Sequence, residues 1–334
     1  MTTTSTHAAS LTDLLKWTPE GEGKTRQRSQ LIILRRPDDV TRELPCVLVY
    51  NFLPALLARD LLTDLLRETP TWHRRKWYLF DRQVTSPHTS ASSVATEPQE
   101  PHNGGGFYFG GSKVRVRPYL PTMVEARRLI EAKVNCVLAE RSRNPLESRD
   151  PWQGNKTIAN CYNGSAEGVG WHGDRLTYIG PFATIASLSL GVTRQFRIRR
   201  FPGVQAQRDP LASPGMSRVF GIDLPHNALL LMLPSMQEEY QHSVPRYTPI
   251  DPHPLSGNIR INLTFRYSRP DYSADHTPHC HCGVPCELRA VTKQEATLGR
   301  YYYMCETDAV HGQGKCSFFQ WMDSGVTGSL PPPP

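Results

Sequence analysis

Hydrophobic and polar positions divide this chain of 334 residues into stretches of different period. Residues 1–44 are polar and charged with no sustained repeat, which predicts a disordered N-terminal tail. Residues 46–52 are apolar and strand-like, and Pro54 then stands at the opening of a helix. Leu57, Leu61 and Leu65, with Leu56, Leu62 and Leu66, form a wide apolar stripe at helical spacing that stops at Pro70. Pro121 opens a second helix. Its spacing puts Val124, Leu129, Ile130, Val134 and Leu138 inside, and Glu125, Arg127, Arg128, Glu131 and Lys133 outside. Both helices read as scaffold. Between them, residues 86–106 are rich in Ser, Thr, Pro and Gly, a loop composition, and run into Phe107-Tyr108-Phe109-Gly110-Gly111.

From residue 158 onward the period becomes two. Ile185, Ser187 and Ser189 alternate with Ala186, Leu188 and Leu190, residues 195–199 and 260–267 alternate likewise, and residues 228–233 are apolar throughout. Strands separated by Gly and Pro turns predict a mainly β domain, a sandwich or jelly roll. Residues 271–278 read as a short linker, residues 279–323 as a separate small unit, and residues 324–334 as a tail.

Composition adds little to this picture until charge and cysteine are considered. A net charge of +7 and a pI near 9.0 favour a polyanionic partner such as nucleic acid, although many basic proteins bind nothing anionic. No apolar run is long enough to cross a bilayer, and residues 1–10 lack a hydrophobic signal core, so an intracellular protein is expected. Cys46, Cys136 and Cys161 are scattered singly, whereas Cys280, Cys282, Cys286, Cys305 and Cys316 crowd together. In a reducing compartment such crowding points to metal before disulfide.

The chemistry concentrates in Trp171-His172-Gly173-Asp174, in His242, and in Arg260-Ile261-Asn262-Leu263-Thr264-Phe265-Arg266. On an extended segment His172 and Asp174 face the same side and can reach one ion. Two imidazoles and one carboxylate suit non-haem Fe(II), and zinc hydrolases use the same donors. The arginine strand favours the first. Arg260, Asn262, Thr264 and Arg266 share one face, and two arginines there need anions or water. A guanidinium is well shaped to clamp a carboxylate; a solvent-facing edge strand is the plainer alternative.

With these residues in view, residues 45–271 resemble the AlkB family of Fe(II)/2-oxoglutarate dioxygenases, which oxidatively dealkylate nucleobases. The resemblance rests on Asn160-Cys161-Tyr162, Trp171-His172-Gly173-Asp174, Ile185-Ala186-Ser187-Leu188-Ser189-Leu190-Gly191, Gln241-His242-Ser243-Val244-Pro245 and the heptad 260–266. It implies a double-stranded β-helix (jelly roll), with the two helices buttressing one sheet, in which His172, Asp174 and His242 hold Fe(II). It further implies that Arg260 clamps the distal carboxylate of 2-oxoglutarate, that Arg266 lies near its other end beside Asp174, and that Asn160, Tyr162 and Asn262 contribute to the same site. Phe107, Tyr108 and Phe109 would form a lid over the substrate, with Phe109 or Phe107 stacking on a flipped base; a hydrophobic hairpin packed on the core is the alternative. Trp72-His73-Arg74-Arg75-Lys76-Trp77-Tyr78 mixes cations and aromatics as a nucleic-acid surface does, and a solvated charged face reads equally well. Repair members often carry an acidic residue two positions after the iron-binding Asp, where it reads the exocyclic amine of the base. Leu176 stands there in this chain.

Residues 279–323 resemble the GRF-type zinc finger, through Cys280-His281-Cys282-Gly283, Gly299-Arg300-Tyr301-Tyr302-Tyr303-Met304-Cys305 and Cys316-Ser317-Phe318-Phe319-Gln320-Trp321. The resemblance implies that Cys280, Cys282, Cys305 and Cys316 bind a structural Zn(II), with Cys286 or His281 as alternative ligands, and that the finger binds single-stranded DNA. The expected function is therefore oxidative demethylation of bases such as 1-methyladenine and 3-methylcytosine in single-stranded or locally opened DNA, for repair. RNA is the alternative substrate, and a non-catalytic nucleic-acid-binding module is the alternative class. The chemistry suggests a monomer in the nucleus, with the cytoplasm as a second location.

Overall fold

The computed structural model describes residues 30–79, 82–95, 107–109, 112–208, 218–246, 250–305 and 316–323. It opens with β1 (Gln30–Ile33) and α1 (Pro37–Glu43), both inside the stretch expected to be a disordered tail. That expectation fails from Gln30 onward for a tertiary reason. β1 pairs in parallel with a strand almost two hundred residues later, and Val40 is fully buried, neither of which local composition reports.

β2 (Cys46–Val49) leads to α2 (Ala55–Glu68), with Pro54 as its N-cap residue. α2 buries Leu57, Ala58, Leu61, Leu62 and Leu65, while Leu56 is exposed. A hairpin of β3 (Lys76–Leu79) and β4 (Arg82–Thr85), then β5 (Thr89–Val94), follow. Next come the short strands β6 (Tyr108–Phe109), β7 (Ser112–Lys113) and β8 (Arg117–Pro118), ahead of α3 (Pro121–Ala139). α3 buries Met123, Ala126, Ile130, Val134 and Leu138. Its apolar stripe is thus rotated from the expected one, because small and flexible side chains at 126 and 123 fill the seam and leave Leu129 outside. Trp72 belongs to this core rather than to a nucleic-acid surface.

The jelly roll is built from β9 (Lys156–Asn163), β10 (Val169–His172), β11 (Ile185–Gly191), β12 (Arg194–Arg200), β13 (Arg218–Leu224), β14 (Ala228–Met232), β15 (Tyr240–Val244) and β16 (Ile259–Arg266). Two short helices, α4 (Pro202–Arg208) and α5 (Met236–Glu239), bridge strands at one end. The larger sheet has the order β2-β14-β11-β16-β9-β5-β8, and the smaller β1-β13-β12-β15-β10.

The period of two now has a physical cause on each face of the larger sheet. Ala186, Leu188, Leu190, Ile261, Leu263 and Phe265 pack against the leucines of α2 and the apolar face of α3. The opposite face looks toward the smaller sheet, where Ile185, Leu230 and Met232 meet Phe196, Ile198 and Ile222. β16 lies at the centre of the sheet, buried on both faces, so its arginines do not belong to a solvent-facing edge.

The C-terminal unit is a three-stranded sheet of β17 (Glu287–Ala290), β18 (Tyr301–Met304) and β19 (Phe319–Trp321). It is not separate from the oxygenase. Leu176 and Phe182 are buried in one cluster with Leu288, Tyr301, Tyr303 and Cys280. Burying a leucine fully stabilises by about 1.5–3 kcal/mol, and this seam has several such residues. The Leu288 N–H donates to Thr177 Oγ1 at 3.1 Å, the Tyr301 hydroxyl to Glu238 Oε1 at 3.2 Å, and Arg175 Nε pairs with Glu287 Oε1 at 3.2 Å. Gly203 on α4 lies so close that a Cβ there would stand 2.6 Å from the Thr292 carbonyl oxygen. The expected linker is likewise ordered, with 3-10 turns at Pro270–Tyr272 and Ala274–His276 and a buried Ala274. No helix among the described residues is long and apolar enough to cross a membrane.

Candidate active site and zinc centre

His172 ends the edge strand β10, and His242 lies directly opposite it on β15. The strand pairing is irregular between Val169 and His172, which turns the end of β10 toward the interior. The two imidazole centres are 4.3 Å apart. Both Nε2 atoms converge on Asp174 Oδ1, His242 at 3.6 Å and His172 at 3.9 Å. The ligand atoms of the three residues all lie within 4.8 Å of one another. His172 Nδ1 donates to the Gly170 carbonyl at 2.8 Å, which leaves the Nε2 lone pair for a metal.

The rest of Asp174 is held from two sides. Its backbone N–H donates to Gln237 Oε1 at 2.7 Å, and Arg266 Nη2 donates to its Oδ2 at 2.6 Å. Burial alone would raise the Asp174 carboxyl, but Arg266 and the two imidazoles outweigh it and hold the group well below the ordinary carboxylate range. Burial, with His242 close by, lowers His172 to about 4. The triad is therefore one carboxylate and at least one neutral imidazole near neutral pH, the protonation state a divalent metal requires.

Arg260 enters the same interior from β16 and is 1% exposed. Its Nη2 donates to Ser189 Oγ at 2.7 Å and to Asn262 Oδ1 at 2.9 Å. Its Nε and Nη1 are buried with no hydrogen-bond partner. Orphaned guanidinium N–H groups in a protein interior are costly unless an anion meets them. An Fe(II) ion and a dicarboxylate fit this donor set, since the triad binds from one side and Arg260 offers an unfilled half-fork within the same barrel.

Other expected site residues are placed less directly. Tyr162 is buried, with Arg260 and Arg194 guanidinium carbons 5.5 and 5.9 Å from its ring centre, and Asn160 shares its strand face. Asn262 spends its amide inside the protein. Its oxygen accepts from Arg260 and from Ser187, and its nitrogen donates to Thr264, so its visible work is to hold Arg260. Phe107 is half-buried and stands edge-on to Tyr178 at 5.3 Å, with Lys156 Nζ 3.4 Å above its ring. The side chains of Tyr108 and Phe109 lie outside the described residues. Leu176 is turned into the finger seam and is 3% exposed.

Sequence reading missed Ser189, Gln237, Glu238 and Lys156. Ser189 had a faint signal as a polar residue inside an apolar strand. The others become visible only when distant elements meet.

In the finger, the Sγ atoms of Cys280, Cys282, Cys305 and Cys316 lie within 4.8 Å of one another. Cys286 is buried outside that set, and burial first, then the neighbouring thiols, raise it to about 12, so it stays a thiol. The Phe318 backbone N–H lowers Cys316 to about 7, which favours a thiolate ligand. His281 is exposed against Phe318 and stands outside the set. Four thiolates at this spacing fit tetrahedral Zn(II).

Comparison with known proteins agrees with this geometry. The model of the 2OG-Fe(II) oxygenase superfamily matches residues 45–266, and that of the GRF zinc finger matches residues 278–325. The alpha-ketoglutarate-dependent dioxygenase alkB homolog 3 of Bos taurus is 35% identical over 135 residues, 40% of this chain and 43% of that protein. The DNA oxidative demethylase ALKBH2 of Arabidopsis thaliana is 29% identical over 122 residues, 34% of this chain and 37% of that protein. The chain thus spans less than half the length of either curated relative. The solved structure of OsALKBH1 aligns with a TM-score of 0.43 at 19% identity, covering 67% of this chain and 98% of that one. The superfamily match covers well over half of the chain, from just before β2 to the end of β16, the strands that bring the triad and Arg260 together. This chain therefore belongs to the 2OG-Fe(II) oxygenase superfamily, as an AlkB-like member with a C-terminal GRF zinc finger.

Proposed function

We propose that this enzyme oxidatively demethylates N-alkylated nucleobases in DNA, in a repair role, and that the finger helps to hold the strand. Fe(II) and 2-oxoglutarate, when bound, activate O2 to hydroxylate an N-methyl group, which leaves as formaldehyde while the cosubstrate becomes succinate and CO2. The residues of the chain supply position and dryness. Arg260 holds the distal carboxylate, itself fixed by Ser189 and Asn262. Arg266 and Gln237 fix Asp174, so that one carboxylate oxygen faces both imidazoles. Phe107, Tyr178 and the Lys156 amine form a cover beside the Arg266 end of the site, suited to a flat, unstacked base.

The observation that carries this reading is the shared interior of the triad and a buried arginine with two unengaged N–H groups. Arg194, equally buried, spends both of its Nη atoms on the backbone carbonyls of Gly164, Glu167 and Pro245, whereas Arg260 keeps its Nη1 as well as its Nε unengaged beside the triad. The relatives named above, one of them a DNA oxidative demethylase, and the net charge of +7 support a nucleic-acid substrate. The reading also makes the protein nuclear, with residues 45–271 as the oxygenase unit and 279–323 as the finger.

The test is formaldehyde and succinate release from protein supplied with Fe(II), 2-oxoglutarate, O2 and a single-stranded oligonucleotide carrying 1-methyladenine or 3-methylcytosine. Stoichiometric release with restored base is the expected result, absent from Asp174→Ala. Succinate without restored base, or faster turnover of the matched RNA, would refute the DNA assignment.

A further inference from the structure

Between the segment that carries Asp174 and the zinc-binding sheet lies a groove of about 900 Å³. One wall is Gly173, Asp174, Arg175 and Leu176, backed by Phe201 and Gln237. The other is the finger, through β17, β19 and the turn at Thr292 and Lys293. Small-molecule sites occupy about 300–1,000 Å³, so this groove stands at the upper end of that range. It begins at an iron-ligand segment and ends on a different structural unit, which is the shape of a path.

The finger wall is aromatic. Tyr302 and Phe319 stack with ring centres 5.2 Å apart at 27°, and Trp321 stands edge-on to Phe319 at 5.0 Å. Phe319 is 52% exposed, an unfavourable place for a phenyl ring in a sheet of three short strands unless something flat covers it. The wall is also cationic. Arg300 lies 4.0 Å from the Trp321 ring centre. Arg175, Arg289 and Lys293 line the groove against Asp174 and Glu287. Asp174 is engaged by Arg266, and Glu287 by Arg175 and Arg289, so Lys293 adds charge that no described carboxylate offsets. Cations interleaved with exposed aromatic faces match a polyanion with unpaired, stackable bases.

The two walls are held in one relation by the Leu176 and Phe182 seam and by the Thr177, Glu238 and Arg175 contacts. A flexible tether would leave the finger free to serve either side of a target base. This finger is fixed to one side.

We propose, resting on the nucleobase reading above, that this groove is the strand path of the active site, holding a few nucleotides of single-stranded DNA on one side of the target base. Their bases stack on Phe319 and Trp321, and their phosphates meet Lys293 and Arg300. The finger is thereby a wall of the active site, and it reads one flank only.

The experiment uses the full chain loaded with zinc, Fe(II) and 2-oxoglutarate, without O2. Affinity is measured for oligonucleotides bearing a methylated base at the 5′ end, at the 3′ end, or in a trinucleotide. Phe319→Ala and Lys293→Glu, both at exposed positions, are expected to weaken binding of one end-placed oligonucleotide by about five- to a hundredfold. They should leave the other, and the trinucleotide, within about twofold. A photoreactive 5-iodouracil in the favoured flank should crosslink to the peptide holding Phe319 and Trp321. Equal weakening of both flanks, no weakening, crosslinking elsewhere, or tighter one-sided binding of the matched RNA would each overturn the proposal. Failure of demethylation with an intact one-sided footprint would instead count against the chemistry and leave the groove standing.

Discussion

Glu238 gives a prediction whose sign and size follow from its surroundings. It is 1% exposed, its Oε1 accepts from the Phe182 backbone N–H at 2.8 Å and from the Tyr301 hydroxyl at 3.2 Å, and its Oε2 is buried with no partner. Burial dominates and raises its pKa from 4.5 to about 7, against the opposing pull of those donors. The folded protein therefore holds this proton more tightly than the unfolded chain does. Stability falls as pH rises from about 4.5 to about 7, and the whole penalty is present above that window. At 1.36 kcal/mol per pH unit it amounts to about 3 kcal/mol. Glu238→Gln keeps an acceptor for Phe182 and Tyr301 and removes the charge. The variant is expected to gain about 3 kcal/mol over the parent at pH 8 and only about 1 kcal/mol at pH 5. Urea unfolding of both zinc-loaded proteins at the two pH values measures this. Protonation of the zinc thiolates is common to both and cancels. A stability difference that does not change between pH 5 and pH 8 would refute the reasoning, and would mean that Glu238 has solvent or a counter-charge.

Arg260→Lys should weaken 2-oxoglutarate binding roughly ten- to a hundredfold by titration calorimetry, since an ammonium loses the fork and one charged hydrogen bond is worth about 1.5–3 kcal/mol; unchanged affinity would remove Arg260 from the cosubstrate site. Leu176→Ala should cost about 2–5 kcal/mol and lower the thermal midpoint, because the side chain fills the finger seam; a midpoint within a degree of the parent would show that the seam is loose. Zinc removal by a strong chelator should expose the thiols of Cys280, Cys282, Cys305, Cys316 and the buried Cys286 to a thiol reagent and also lower the midpoint of the oxygenase unit. An oxygenase midpoint indifferent to zinc would contradict the shared core.

The sequence made part of the site legible through local spacing, while His242, the role of Arg260 and the set of four thiolates came with the family resemblance. His172 and Asp174 are two apart on extended chain, and the 260–266 alternation survives in a strand buried on both faces. It did not make legible what depends on two distant elements meeting. Gln237 reaches the Asp174 backbone from α5, and Ser189 reaches Arg260 across the sheet. The packing of the finger on the oxygenase was not legible, because Leu176 and Phe182 look like ordinary loop apolars until β17 and β18 cover them. The tail was misread because a four-residue strand such as β1 has no signal apart from its partner.

The pairing of His172 with His242 places two metal ligands on adjacent strands, one of them at the border of its sheet. β10 has four residues and a disturbed ladder, so the backbone alone fastens it weakly. A metal gripped by both imidazoles therefore acts as a clasp on the sheet margin. Metal-free protein would let that margin fray and offer unpaired backbone groups to neighbouring molecules. The expected outcome is that iron-free preparations scatter light at temperatures below their unfolding midpoint while iron-loaded ones do not, read by light scattering alongside circular dichroism.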